Sequence, residues 1–248
     1  MEILTQPTEF ILEEFGVDVT LIYGDFVDGR VVFYSLEPLK GYRKNGDTYS
    51  KSFAVDDEVV QSNRHRVTGY GASNFPRLTR RSTEILGVPE DGEIELFGVE
   101  RSYAHVASSA LQVAVCPEKF EWEMKNNPFC FSYPRDIILA HEGAHVAAHP
   151  HNEIFPQFFG LVANSVKDMY GKEEAVDEAI AILAELGYIR RFHPQLETLY
   201  IELRSADRDL IYDNKGLAPL MIPLVRLASS PSFSVHAFHK LGVSARPC

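Results

Sequence analysis

The stretch Asp136–His151, DIILAHEGAHVAAHPH, carries the residues best suited to chemistry. Within it, His141 and His145 are four positions apart, with Glu142 directly after the first. On a helix that spacing stacks two imidazoles on one face, one turn apart, where a single metal ion can take a nitrogen from each. Glu142 points to a different side and is suited to act as general base on a metal-bound water, or as an outer partner of the site. Ile137, His141, Ala144, His145 and Ala148 fall on one helical stripe, so the histidines are expected to face the interior. Buried imidazoles without a metal would need several hydrogen-bond partners to offset their lost hydration. Pro150 is expected to stop the helix.

Two imidazoles alone do not hold a catalytic metal, so the third ligand decides the chemistry. Glu185, on a largely apolar segment (Ile182, Leu183, Ala184, Leu186), completes a set of two histidines and one carboxylate. That set is the facial triad of non-haem Fe(II) oxygenases, with open positions for O2 and substrate. His151 instead gives three histidines with the Glu142 base, which suits zinc and peptide hydrolysis. Glu173, Glu174, Asp177 and Glu178 form an acidic helix start, a pattern equally expected of a solvated N-terminus favoured by the helix dipole. His149 repeats the four-residue spacing but lies two turns from His141, too far to share its ion on a straight helix.

The elements that must position these groups are read from periodicity and punctuation. Pro7–Phe15 reads as a short helix with Thr8 as N-cap and Gly16 as stop. Val17–Tyr23 and Arg30–Ser35 read as a hairpin across Asp28-Gly29, and Leu36–Lys51, with its Asn45-Gly46 signal, as a loop or second turn. Phe75–Leu86 and Arg101–Cys116 read as helices, and Glu93–Phe97 as a short strand. Phe120–Pro134 is aromatic-rich; Phe131 and Tyr133 within it can wall a pocket for a flat ligand. Helices are expected over Glu153–Tyr170, Glu173–Arg190 and Gly216–Ser229, with strands over Leu196–Leu203 and Phe233–Phe238. The class is α+β, a mainly helical catalytic core (70–248) with a β-rich N-terminal segment (1–69).

With 248 residues, 45% of them hydrophobic, the chain can build a sizeable core. A net charge of −11 and a pI near 5.3 argue against nucleic acid and anionic membranes as partners. No run is long and apolar enough to span a bilayer, and the first residues lack the basic-plus-apolar pattern expected of a signal peptide. Cys116, Cys130 and Cys248 are odd in number and unpatterned, which fits a reducing cytoplasm and offers no zinc-ribbon spacing. The expected partners are a small molecule and O2; the oligomeric state is left open.

From about Tyr70 to Glu185 the order of motifs resembles the catalytic domain of the pterin-dependent aromatic amino-acid hydroxylases. Asn74-Phe-Pro76-Arg-Leu78 resembles the family's NIPQL, and Phe97-Gly98, Ser102, Ala110-Leu111 and Cys116 follow its next segment without a gap. Asn127-Pro128-Phe129 and Pro134-Arg-Asp136 resemble the run before the iron helix, and Glu185-Leu-Gly187 resembles the EFG that carries the carboxylate ligand. The resemblance implies a mononuclear Fe(II) monooxygenase acting on an aromatic or amino-acid-like molecule, with His141, His145 and Glu185 on the iron and a tetrahydropterin as reductant. The chain also departs from the family. The ligand histidines are one residue closer together, and the substrate-gripping arginine falls near Glu121. The pterin-stacking aromatic falls on His105, which the resemblance makes a cofactor-binding position. Arg135 stands where the family has an acidic residue, and is the candidate to clamp a substrate carboxylate instead, the other reading being a surface pair with Asp136. The alternatives to an oxygenase are an HExxH zinc hydrolase with Glu142 as base, and a non-catalytic metal-binding relative.

Overall fold

The computed structural model describes residues 2–16, 18–55, 100–103, 134–148 and 172–206. In chain order they form helix α1 (Glu2–Phe15), strands β1 (Val19–Val27), β2 (Arg30–Ser35), β3 (Arg43–Asn45), β4 (Thr48–Ala54) and β5 (Glu100–Tyr103), helices α2 (Arg135–Ala148) and α3 (Lys172–Phe192), a 3-10 turn (Pro194–Leu196) and helix α4 (Glu197–Ala206). The elements expected at Phe75–Leu86, Glu93–Phe97, Glu153–Tyr170, Gly216–Ser229 and Phe233–Phe238 lie outside the described residues.

Helix α1 starts five residues before the expected Pro7, which sits inside it and gives up one backbone hydrogen bond. Leu4, Ile11 and Phe15 recur close to the helical period and are buried, with Phe10 beside them, and this packing outweighs the loss at Pro7. Thr8 is therefore interior to the helix and not its cap; its hydroxyl donates to the Leu4 carbonyl at 2.8 Å. Gly16 ends the helix as expected, at φ +70 with its N–H on the Leu12 carbonyl at 2.9 Å.

The sheet order is β3-β4-β2-β1-β5. The β1–β2 hairpin turns at Asp28 and Gly29, both with positive φ (50° and 74°), the backbone that a two-residue turn needs to match the twist of its strands. Residues 36–51, expected as loop or turn, also supply β3 and the start of β4, a second hairpin closed by Gly46 at φ 62. Strand β5 runs parallel to β1, Val19 opposite Glu100 through Ile22 opposite Tyr103. Arg101–Tyr103 was expected to open a helix; pairing along β1 satisfies its backbone instead, a long-range gain that local spacing does not report. Leu196–Leu203, expected as strand, is the last residue of the 3-10 turn and the first two turns of α4. Leu196 and Tyr200 are four apart on one side, Tyr200 fully buried, while Leu199 is 49% exposed, which is helical and not alternating burial.

One apolar cluster joins the elements. Leu4, Phe10 and Ile11 of α1, Leu21 and Tyr23 of β1, Ile137, Leu139, Ala140, Ala144 and Ala147 of α2, residues 180–184 with Leu186, Tyr188 and Ile189 of α3, and Tyr200 of α4 all belong to it. The described parts of the expected N-terminal segment and of the helical region thus share a core. Among the described residues, no helix is long and apolar enough to cross a membrane.

Candidate metal centre

Helix α2 is tethered by its small residues. Ala140, Ala144 and Ala147 are fully buried, and a side chain at Gly143 would meet Ile11 Cγ1 at 3.0 Å and Leu21 Cδ2 at 3.3 Å. The glycine of the HEGAH run therefore lets α2 approach α1 and β1 closely, which fixes the rotation of the helix. On α3, running antiparallel to α2, Tyr188 and neighbouring His193 meet Asp136 at the start of α2, and Glu185 meets His141.

That register brings His141, His145 and Glu185 together. Glu185 is 2% exposed and His141 8%. Glu185 Oε2 lies 3.0 Å from His141 Nδ1, and the same oxygen accepts the Tyr200 hydroxyl at 2.9 Å. With Glu185 as a carboxylate, which only accepts hydrogen bonds, His141 carries its proton on Nδ1. Its Nε2 then carries a lone pair, and that nitrogen stands 3.1 Å from His145 Nε2, with the rings nearly perpendicular at 82°. Two imidazole nitrogens sharing one ion at about 2.0–2.1 Å are about 2.9 Å apart at a right angle and about 3.3 Å apart at the tetrahedral angle, which bracket that distance. The pair thus fits one divalent ion, and the same 3.1 Å serves an Nε2–H···N hydrogen bond in its absence.

The carboxylate does not join that pair. It stands at the opposite nitrogen of the His141 ring, and among the described residues no group of three or more His, Cys, Asp or Glu is arranged to hold a metal ion. Three residues expected as a ligand set are contiguous, but in a line (Glu185, His141, His145) and not around one point. Glu185, on its largely apolar segment, is buried with His141 Nδ1 and the Tyr200 hydroxyl on one of its oxygens. Tyr200 carries no sequence signal for this role, because the residues around it favour a strand locally and its partner is fifteen residues away.

Glu142 is half-buried on α2. Arg135 does not pair with Asp136. Its Nη1 lies 2.9 Å from Asp25 Oδ1 and also donates to the Tyr23 hydroxyl, with the guanidinium 5.5 Å from the centre of the Tyr23 ring. Tyr23 in turn donates to Asp25 at 3.0 Å. Burial raises the Tyr23 hydroxyl to about 12, against the opposing pull of Arg135. Arg135 precedes His141 by six residues, about 9 Å along the helix. Asp136 accepts from Tyr188 at 2.9 Å and lies 2.6 Å from His193 Nε2. His105, Phe131, Tyr133, His149 and His151 lie outside the described residues, as do the side chains of Glu173, Glu174, Asp177 and Glu178.

Compared with known proteins, the chain matches no family model, no curated protein and no solved structure.

Proposed function

We propose that this protein is a metallohydrolase built on the HEGAH turn of α2, with one divalent ion, zinc in the simplest case, taken by Nε2 of His141 and Nε2 of His145. The observation that carries this reading is the 3.1 Å approach of those two nitrogens, with the other nitrogen of His141 engaged by a buried carboxylate. Bound there, such an ion polarises a carbonyl oxygen and lowers the pKa of a water. The residues supply the rest. Glu185 fixes the tautomer of His141 that leaves Nε2 able to ligate. Glu142, next in the chain to His141 and half-buried, is the general base that takes the proton of the attacking water and returns it to the leaving group. The third ligand in this reading is His151 or one of the acidic residues opening α3.

A second reading keeps the order the hydroxylase resemblance implies: Fe(II) on His141, His145 and Glu185, O2 and a tetrahydropterin on the open side, with Arg135, His105, Phe131 and Tyr133 binding substrate or cofactor. Its support is that Glu185 is buried beside His141. It requires Glu185 to leave His141 Nδ1, whereas the hydrolase requires no such move.

The two separate in one experiment. Zinc-loaded and Fe(II)-loaded protein are each assayed for cleavage of a fluorogenic peptide library and for pterin-dependent O2 consumption. The hydrolase reading expects peptide cleavage by the zinc form, abolished in Glu142→Gln. O2 consumption by the iron form that survives in Glu142→Gln but not in Glu185→Ala, with no peptidase activity, overturns it in favour of the oxygenase.

A further inference from the structure

Resting on the assignment of His141 and His145 as ligands, we infer that Glu185 acts from outside the coordination sphere, and that Tyr200 is the positioning residue that holds it there. The argument is geometric. The contacts with His141 and Tyr200 end on the same oxygen, Glu185 Oε2, at 3.0 Å from His141 Nδ1 and 2.9 Å from the Tyr200 hydroxyl. The two nitrogens of an imidazole point to opposite sides of the ring, so a carboxylate seated on Nδ1 is directed away from an ion on Nε2. All three groups are withdrawn from water, with exposures of 8% for His141, 2% for Glu185 and 0% for Tyr200. In so dry a setting, water competes little for these donors and the chain Tyr200–Glu185–His141 is held.

Its chemistry follows from charge. An anionic acceptor on Nδ1–H pushes electron density into the ring and makes Nε2 a stronger donor to a metal, while locking the ring plane. Tyr200, donating to the same oxygen, keeps the carboxylate from swinging toward Nε2. It arrives on α4, whose first turn is tied to the end of α3 by Arg190 and Glu197 at 2.7 Å. The pair of helices α3 and α4 therefore sets the donor strength of a ligand on α2.

The test uses the full chain, its affinity for Co(II) and the ligand-field spectrum of the Co(II) form, in the wild type, Glu185→Gln and Tyr200→Phe. Glutamine keeps a carbonyl acceptor for both donors but loses the charge and is a poor ligand. The expected result is a loss of affinity of about 10- to 100-fold in Glu185→Gln, with an unchanged spectrum. Tyr200→Phe should show a smaller loss in the same direction, also with an unchanged spectrum. A spectrum that shifts to a different coordination in Glu185→Gln makes Glu185 a ligand and overturns the inference, while the metal reading survives. Affinities equal to wild type in both variants make the network merely structural and also overturn it. If Glu185→Gln does not fold, Tyr200→Phe alone decides, by affinity lost or kept. A wild type that takes up no Co(II) rejects the metal site itself, and this inference with it.

Discussion

At Glu185 a carboxyl group at 2% exposure has His141 Nδ1 and the Tyr200 hydroxyl on one oxygen, the kind of partners a buried polar group needs to offset its lost hydration. A second buried carboxylate, Asp136, follows the same rule with Tyr188 and His193. Tyr188→Phe removes one donor and leaves the other, so urea unfolding should show a loss of about 1–2 kcal/mol, and not the larger loss of an orphaned carboxylate. Tyrosines also give the molecule an alkaline limit. Burial, and Asp136 beside it, push the Tyr188 hydroxyl well above its ordinary range, and burial pushes Tyr23 to about 12. A raised folded-state value means the unfolded chain loses its proton first, so the stability from these groups is complete below about pH 10. It falls as pH rises from there toward the folded values. Denaturant midpoints measured from pH 9 to 11.5 should decline, and Tyr23→Phe should flatten part of that decline; an unchanged slope in the variant would remove Tyr23 from the account.

At the scale of elements, the site depends on how closely α2 lies against α1 and β1. A methyl at position 143 would meet Ile11 at 3.0 Å. Glycine to alanine in a helix interior ordinarily gains up to about 1 kcal/mol, but here overpacking of about 1–3 kcal/mol opposes it. Gly143→Ala should therefore lower the unfolding free energy by about 1–2 kcal/mol and weaken metal binding by tilting His141 and His145; a stabilised variant would contradict this packing. The helix that bears His141 and His145 was legible because its cues are local: two histidines four apart and a stripe of small apolar residues, with Glu185 standing out as a lone carboxylate on an apolar helix. The nitrogen that Glu185 would meet was not legible, because that depends on the register between α2 and α3. Tyr200 was not legible either. Pro194 and Glu197 mark a helix start, but β-compatible residues such as Thr198, Tyr200 and Ile201 make an equally good local case for a strand. The strand at Glu100–Tyr103 exists through its pairing with β1, a partner some eighty residues away.

At the scale of the whole molecule, the helix that bears the histidines is covered by the first twenty-three residues of the chain. Leu4, Phe10, Ile11, Leu21 and Tyr23 share its core, and Phe10 packs edge-on to Tyr188 at 5.2 Å. Removing them would expose several large apolar side chains, each contributing about 1.5–3 kcal/mol. A fragment of residues 70–248 should therefore show no cooperative thermal transition, and one that melts cooperatively and still binds metal would establish two autonomous domains. The central claim is that His141 and His145 together hold a divalent ion, and it is tested most directly by calorimetric titration of metal-free full-length protein with zinc, in wild type and in His145→Ala. The account predicts saturable uptake of one ion per chain by the wild type, lost in a His145→Ala variant that still melts cooperatively. Absence of saturable uptake by the wild type, or uptake undiminished in His145→Ala, would contradict it.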